Sequence, residues 1–184
     1  MSRYSCECII LKRQNFGEGD KIITVFAKKF GKMKVLAKGI RKIYSRRAPH
    51  LELFNQTRLH LYKGKNFDII TEAENVSVNE NLKKDINKIA TAYFLVEIVD
   101  RLCPEGVVHD DIYASLVNAL TLLNHNRPED QNLIKDAFAN NLLHYLGFLP
   151  FSQNLKGTTL VNYIESILEG RLKTPGILTK VAQD

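Results

Sequence analysis

The side chains best suited to chemistry in this chain are cations, and they crowd into one stretch. Lys12, Arg13, Lys21, Lys34, Lys38, Arg41, Lys42, Arg46 and Arg47 all fall between residues 12 and 47. Clustered Lys and Arg displace the counterions condensed on a polyanion, so this pattern points to phosphate binding rather than bond making. Tyr44 lies in the most basic loop, with no apolar period around it, and is the candidate for stacking on a base. Phe16 and Phe67 sit at expected strand ends and are weaker candidates, while Phe26, Phe30, Phe54 and Tyr62 read as packing residues. Contacts of this kind position a backbone without reading bases, so little sequence preference is expected.

Other reactive residue types do not assemble into a catalytic pattern. Glu18 and Asp20 flank glycine turns, where lone carboxylates usually cap the turn; a two-metal site needs more carboxylates than these. The five histidines are scattered, without a triad pattern. Gly17-x-Gly19 lacks the third glycine and the following helix of a phosphate loop. Cys6 and Cys8 share one face of a strand and read as small core residues, and Cys103 leaves an odd count that argues against a disulfide framework. A metal at Cys6 and Cys8 would need two further ligands, for which only His50 and His60 are near in sequence. No enzyme activity, no metal and no cofactor is therefore expected.

The elements that must position these cations follow from periodicity and charge. Hydrophobic residues make up 45% and charged residues 25% of the 184, an ordinary globular mix. No apolar run suits a membrane span, and the N-terminus does not read as a signal peptide, so a cytoplasmic location is expected. Residues 1–70 hold 16 Lys and Arg against 5 Asp and Glu, a net of +11, whereas residues 71–184 hold 10 against 15, a net of −5. Such asymmetry suggests two modules, the first of which meets nucleic acid. Strand patterns cover 4–13, 20–30, 33–38, 51–63 (interrupted at Asn55 and Gln56) and 67–73. Helical patterns follow: one capped by Asn79 or Asn81 and ending near 102, one over 109–124, one opened by Pro128 and stopped by Gly147, and one capped by Thr158 or Thr159. The expected fold class is α+β in two modules. An N-terminal five-stranded OB-fold β-barrel spans 1–77 and a C-terminal all-helical domain spans 78–184.

The order of residues then becomes specific. Phe16-Gly17-Glu18-Gly19-Asp20-Lys21, Gly31-Lys32, Ala37-Lys38-Gly39-Ile40-Arg41-Lys42, Ser45-Arg46, Leu51-Glu52-Leu53-Phe54, Leu61-Tyr62-Lys63-Gly64 and Ala73-Glu74 resemble the marks of the bacterial recombination mediators of the RecO family. The likeness extends to the helical half through Leu146-Gly147-Phe148-Leu149-Pro150. The resemblance implies an OB-fold joined to a helical domain, binding of single- and double-stranded DNA, and annealing of complementary strands. It implies action with RecR to place RecA on strands coated by single-stranded-DNA-binding protein, whose acidic C-terminal tail is a further partner, and a cytoplasmic, nucleoid-associated location. An acidic tail requires an apolar pocket rimmed by positive charge; Arg127 and Arg171 are the candidates in the helical half. One departure stands out. Many members of the family carry a four-cysteine zinc ribbon after the Leu-Gly-x-x-Pro segment, but residues 151–159 here contain no cysteine. The zinc module is expected to be reduced to a linker near 150–158, with no zinc bound. The alternative reading is an OB-fold adaptor that binds RNA or another polyanion and docks proteins through its helical module.

Overall fold

The computed structural model describes residues 2–42, 45–125 and 130–174. Tyr44, Arg127, the Pro128 helix start and the tail beyond 174 lie outside the described residues. The chain forms two compact units: Met1–Val78 together with Pro104–Tyr113, and Asn79–Cys103 together with the chain from Ala114 on.

The first unit is built on five strands: β1 (Arg3–Phe16), β2 (Asp20–Ala27), β3 (Gly31–Ala37), β4 (Gln56–Tyr62) and β5 (Asp68–Ser77). β1 pairs antiparallel with β2 along one edge and with β4 along the other. β2 pairs antiparallel with β3, and β4 with β5. Neighbours thus run β1-β2-β3-β5-β4 and back to β1. The last seam differs from the rest. β3 and β5 run parallel and share two residue pairs, Val35–Asp68 and Leu36–Ile69. The expected OB-fold β-barrel is therefore corrected. The unit is a mixed, curled five-stranded sheet that meets itself along a two-pair seam, not a barrel laddered evenly all round. Alternation along single strands reveals which face is buried but not how many pairs each edge makes.

The faces follow the alternation. Cys6, Cys8 and Ile10 of β1 join Ile23, Val25, Val35, Leu59, Leu61 and Ile70 in the enclosed core. Ile9 stands opposite Phe26 on the other face and is also fully buried. Phe26 there meets the ring of Tyr113 at 6.3 Å between centroids, so the segment 104–113 covers a second apolar layer. That segment also lies on β3. Gly106 N–H donates to Lys32 C=O at 2.9 Å, and Glu105 bridges Lys32 in parallel. Gly31, at φ +67°, makes this approach possible: a Cβ there would lie 2.0 Å from Val107 O.

Strand bounds differ from expectation where local turns win. Leu51 belongs to a short 3-10 turn, Ala48–Leu51, with Pro49 in its first positions. Phe54 then adopts φ +68°. Its N–H donates to Ile10 C=O, and Ile10 N–H donates to Asn55 C=O, both at 3.1 Å. The fourth strand consequently starts at Gln56 rather than 51. The turn between β2 and β3 spans residues 28–30, ahead of the expected turn at Gly31-Lys32, which instead opens β3.

The second unit contains α1 (Ile86–Leu102), α3 (Gln131–Tyr145), α4 (Gly157–Ile167) and most of α2 (Asp110–His125). The N-cap of α1 is Asp85, whose carboxylate accepts from the N–H groups of Asn87 and Lys88 at 2.8 and 3.3 Å. Asn79 and Asn81, the expected caps, instead precede a 3-10 turn, Leu82–Lys84. Asp85 satisfies two of the donors that a helix start leaves open, which Asn79 and Asn81 are too early to reach. α1 is buried on most of its circumference. Its one acidic residue in the apolar middle, Glu97, is satisfied by hydrogen bonds. Its carboxylate accepts from Lys173 N–H at 2.8 Å and from Thr174 N–H at 3.0 Å and Oγ1 at 2.5 Å. The linker between α3 and α4 is pinned as well. Asn140 Nδ2 donates to Leu155 C=O, and Leu155 N–H returns a bond to Asn140 Oδ1, each at 2.8 Å. The expected cap at Thr158 or Thr159 is not used; α4 begins at Gly157, whose N–H donates to Asp136 at 3.0 Å.

Candidate nucleic-acid interface

The glycine-rich tip between β1 and β2 and the loop after β3 are tied together. Gly39 N–H donates to Asp20 Oδ1 at 2.7 Å. Arg41 N–H donates to Gly19 C=O at 3.1 Å, and its guanidinium lies 3.5 Å from Gly17 C=O. The order Gly17-Glu18-Gly19-Asp20 therefore works as a clasp. Asp20 accepts a loop amide, as a turn-capping carboxylate should, and the glycine carbonyls orient Arg41. Through this clasp a loop that lacks apolar period is held against the sheet.

Cations of both segments gather here. Lys21 stands in register with Ala37 across β2 and β3. Partial burial holds its ammonium below the usual lysine range, with the positive charges of Arg13 and Arg41 adding to the effect and Glu52 opposing it. Arg13 pairs with Glu52 at 2.6 Å. Lys38, Lys42, Arg46 and Arg47 line an open cleft of about 760 Å³, together with Ser45, His50 and the β5 residues Thr71, Glu72, Ala73 and Glu74. Ser45 Oγ and His50 Nδ1 are buried and make no hydrogen bond among the described residues. Glu72 and Glu74 set the wall of this cleft that a phosphate should avoid.

The remaining candidates are sorted differently. Arg47 donates to Lys38 C=O and to Ile70 C=O, both at 2.6 Å. It straps the end of β3 to β5 beside the two-pair seam, so its fork is already engaged. Lys34 pairs with Glu105 at 2.6 Å, which holds that carboxyl below the usual range. Lys12 is exposed and stands opposite Thr24, which itself stands opposite Lys34, away from the cleft. Arg171 is exposed in the second unit, where its C=O accepts from Arg101 at 2.7 Å. Tyr44 and Arg127 fall outside the described residues.

The two weaker aromatic candidates come together. Phe16 and Phe67 pack edge to face, 6.2 Å between centroids and 72° between planes. Only the meeting of the β1 end with the start of β5 creates this pair, and no local pattern announces it. Sequence reasoning weighs His50 only as a metal ligand and Ser45 only within the family marks, because a lone serine and a lone histidine carry no periodic signal that places them in a cleft.

Replacing Arg47 by Ala should destabilise the first unit by about 2–3 kcal/mol, the range for charge-assisted bonds with part of the group exposed. Hydrogen exchange should speed up at Leu36 and Ile69. Arg47→Lys should restore little, since an ammonium does not reproduce the planar fork that spans both carbonyls. Urea titration with exchange read by NMR checks both.

No metal-holding group of three or more His, Cys, Asp or Glu occurs among the described residues. Cys6, Cys8 and Cys103 are buried and form no disulfide among the described residues. Burial pushes the Cys8 thiol up, while its hydrogen bond with Cys6 draws the latter down. No helix among the described residues is long and apolar enough to cross a membrane.

Comparison with known proteins agrees along the chain. A family model described as recombination protein O, N terminal, matches residues 1–79, and its companion, recombination protein O, C terminal, matches 83–154. A "DNA repair protein RecO" of Roseiflexus sp. (strain RS-1) is 36% identical over 147 residues, covering 80% of this chain and 51% of the relative. Proteins of the same name from Pelotomaculum thermopropionicum and Symbiobacterium thermophilum are 29% and 31% identical over 150 residues, covering 82% of this chain and 57% and 59% of theirs. The chain thus spans a little over half the length of these curated relatives. Two adjoining models of one family, in the order of the two halves, and relatives that share its name lead to one conclusion: the chain belongs to the RecO family of DNA repair and recombination proteins.

Proposed function

We propose that this chain is a non-catalytic, DNA-binding mediator of recombinational repair. It binds single- and double-stranded DNA, anneals complementary strands, and helps place RecA on strands coated by single-stranded-DNA-binding protein. RecR and the acidic C-terminal tail of the coating protein are its protein partners. The observation that carries this reading is the cation cleft beside the glycine clasp, where Lys38, Lys42 and Arg46 line one opening. Annealing needs no covalent step. It needs two phosphate backbones brought close despite their repulsion, and grouped cations supply that by neutralising phosphates and releasing counterions. Membership of the RecO family supports the assignment to repair, and the names of the curated relatives speak of DNA repair.

The test mixes the purified protein with two complementary labelled oligonucleotides and follows annealing as salt is raised. Acceleration at low salt that fades as salt rises is expected. Absence of acceleration, with RNA bound as tightly as DNA, would replace this reading with an adaptor for RNA or another polyanion.

A further inference from the structure

We infer that Phe16, backed by Phe67, is a stacking platform for an unpaired nucleobase, and that it lets the chain distinguish single-stranded from duplex DNA. The inference rests on the DNA-binding reading above.

Phe16 closes β1 at its pair with Asp20, where the sheet ends. Phe16 as a residue is 46% exposed, whereas Phe26 in the same sheet is fully buried. An aromatic side chain left this open at a strand end gains little from the core. Phe67 meets it edge to face and limits its rotation, so less freedom is lost when a ligand lands on it. The surroundings fit an anionic chain. The Arg41 guanidinium lies 3.5 Å from the carbonyl of Gly17, the residue that follows Phe16. Lys21 follows Asp20, the strand partner of Phe16, and feels the charges of Arg13 and Arg41. A ring face beside several cations is the arrangement that holds a base and its flanking phosphates. Specificity follows from geometry. In a duplex both faces of an internal base are already stacked, so only an unpaired base can cover the ring, while the cations serve either form of DNA.

The experiment compares binding of an oligo-dT strand and of a blunt duplex of equal length at one ionic strength. Phe16→Ala is expected to weaken oligo-dT binding about 5- to 150-fold, the range for one lost base–aromatic stack, and to change duplex binding by less than about twofold. The salt slope should not move, because no phosphate contact is removed. Phe16→Leu keeps most of the packing volume and should lose the same preference, whereas Phe16→Trp should keep it. Equal weakening on both ligands, or an unchanged preference in Phe16→Ala and Phe16→Leu, would overturn the platform alone. Failure of the unaltered protein to bind either ligand would overturn the DNA-binding reading, and the platform with it.

Discussion

Changing Lys38, Lys42 and Arg46 together to Ala is expected to cost this protein about 100-fold in affinity for single-stranded DNA near 0.1 M salt. The three side chains line one cleft, and none forms an ion pair among the described residues. If each neutralises one phosphate, the slope of log affinity against log salt should fall by about 2, at roughly 0.7 per contact on a single strand. Loss and slope are then linked: the affinity defect should shrink toward nothing as salt approaches about 1 M. Fluorescence anisotropy across a salt series measures both. The contrast with Arg47 makes the result diagnostic. Arg47 already spends its fork on Lys38 and Ile70 carbonyls, so Arg47→Lys should leave the slope near that of the unaltered protein. An unchanged slope in the triple variant would mean that phosphates bind elsewhere on the basic unit, along Arg13, Lys21 and Arg41 or at Lys12.

The largest stability effect is expected at Gly31. Its φ of +67° already disfavours any side chain, and a Cβ would sit 2.0 Å from Val107 O and 2.5 Å from Val107 C. Those are backbone atoms, so no flexible side-chain end can yield. The segment 104–113 would have to lift, breaking the Gly106 N–H bond to Lys32 and uncovering the Phe26 and Tyr113 layer. Gly17 supplies the control. It has a similar φ of +59°, and a methyl group added there would meet nothing within 4 Å. Gly17→Ala should therefore cost only the left-handed penalty, about 1–2 kcal/mol. Gly31→Ala should add the overpacking cost, for about 2–5 kcal/mol in all. Denaturant titration of both variants checks the difference, and equal costs would show that the 104–108 segment moves aside freely.

Much of the first unit is legible in the sequence because strands announce themselves by alternation. The spacing of Cys6, Cys8 and Ile10 puts them on one face of β1, and all three lie in the enclosed core. Asp20 beside its glycines reads as a turn-capping carboxylate, and it caps the loop at Gly39. The middle of α1, Ala92 to Val99, is apolar nearly all round apart from Glu97 and is also readable, since a helical stretch with no polar face must be surrounded. Local capping is harder to place. Asn79, Asn81 and Asp85 all suit a helix start, and the choice falls to Asp85 because Leu82–Lys84 first closes a 3-10 turn.

What the amino-acid order determined by itself was the family, the basic character of the first unit and the set of cations proposed to meet phosphate. These are properties of residue type and spacing along the chain. Tertiary structure alone decided which of these cations are engaged by the protein itself. Arg13 and Lys34 are drawn to Glu52 and Glu105, and Arg47 to the backbone carbonyls of Lys38 and Ile70, while Lys38, Lys42 and Arg46 face one cleft. It also decided the two-pair seam between β3 and β5 and the meeting of Phe16 with Phe67. The reason is physical: an ion pair or a ring contact depends on distance in space, and residues far apart in the chain carry no local signal of the partner that folding brings to them.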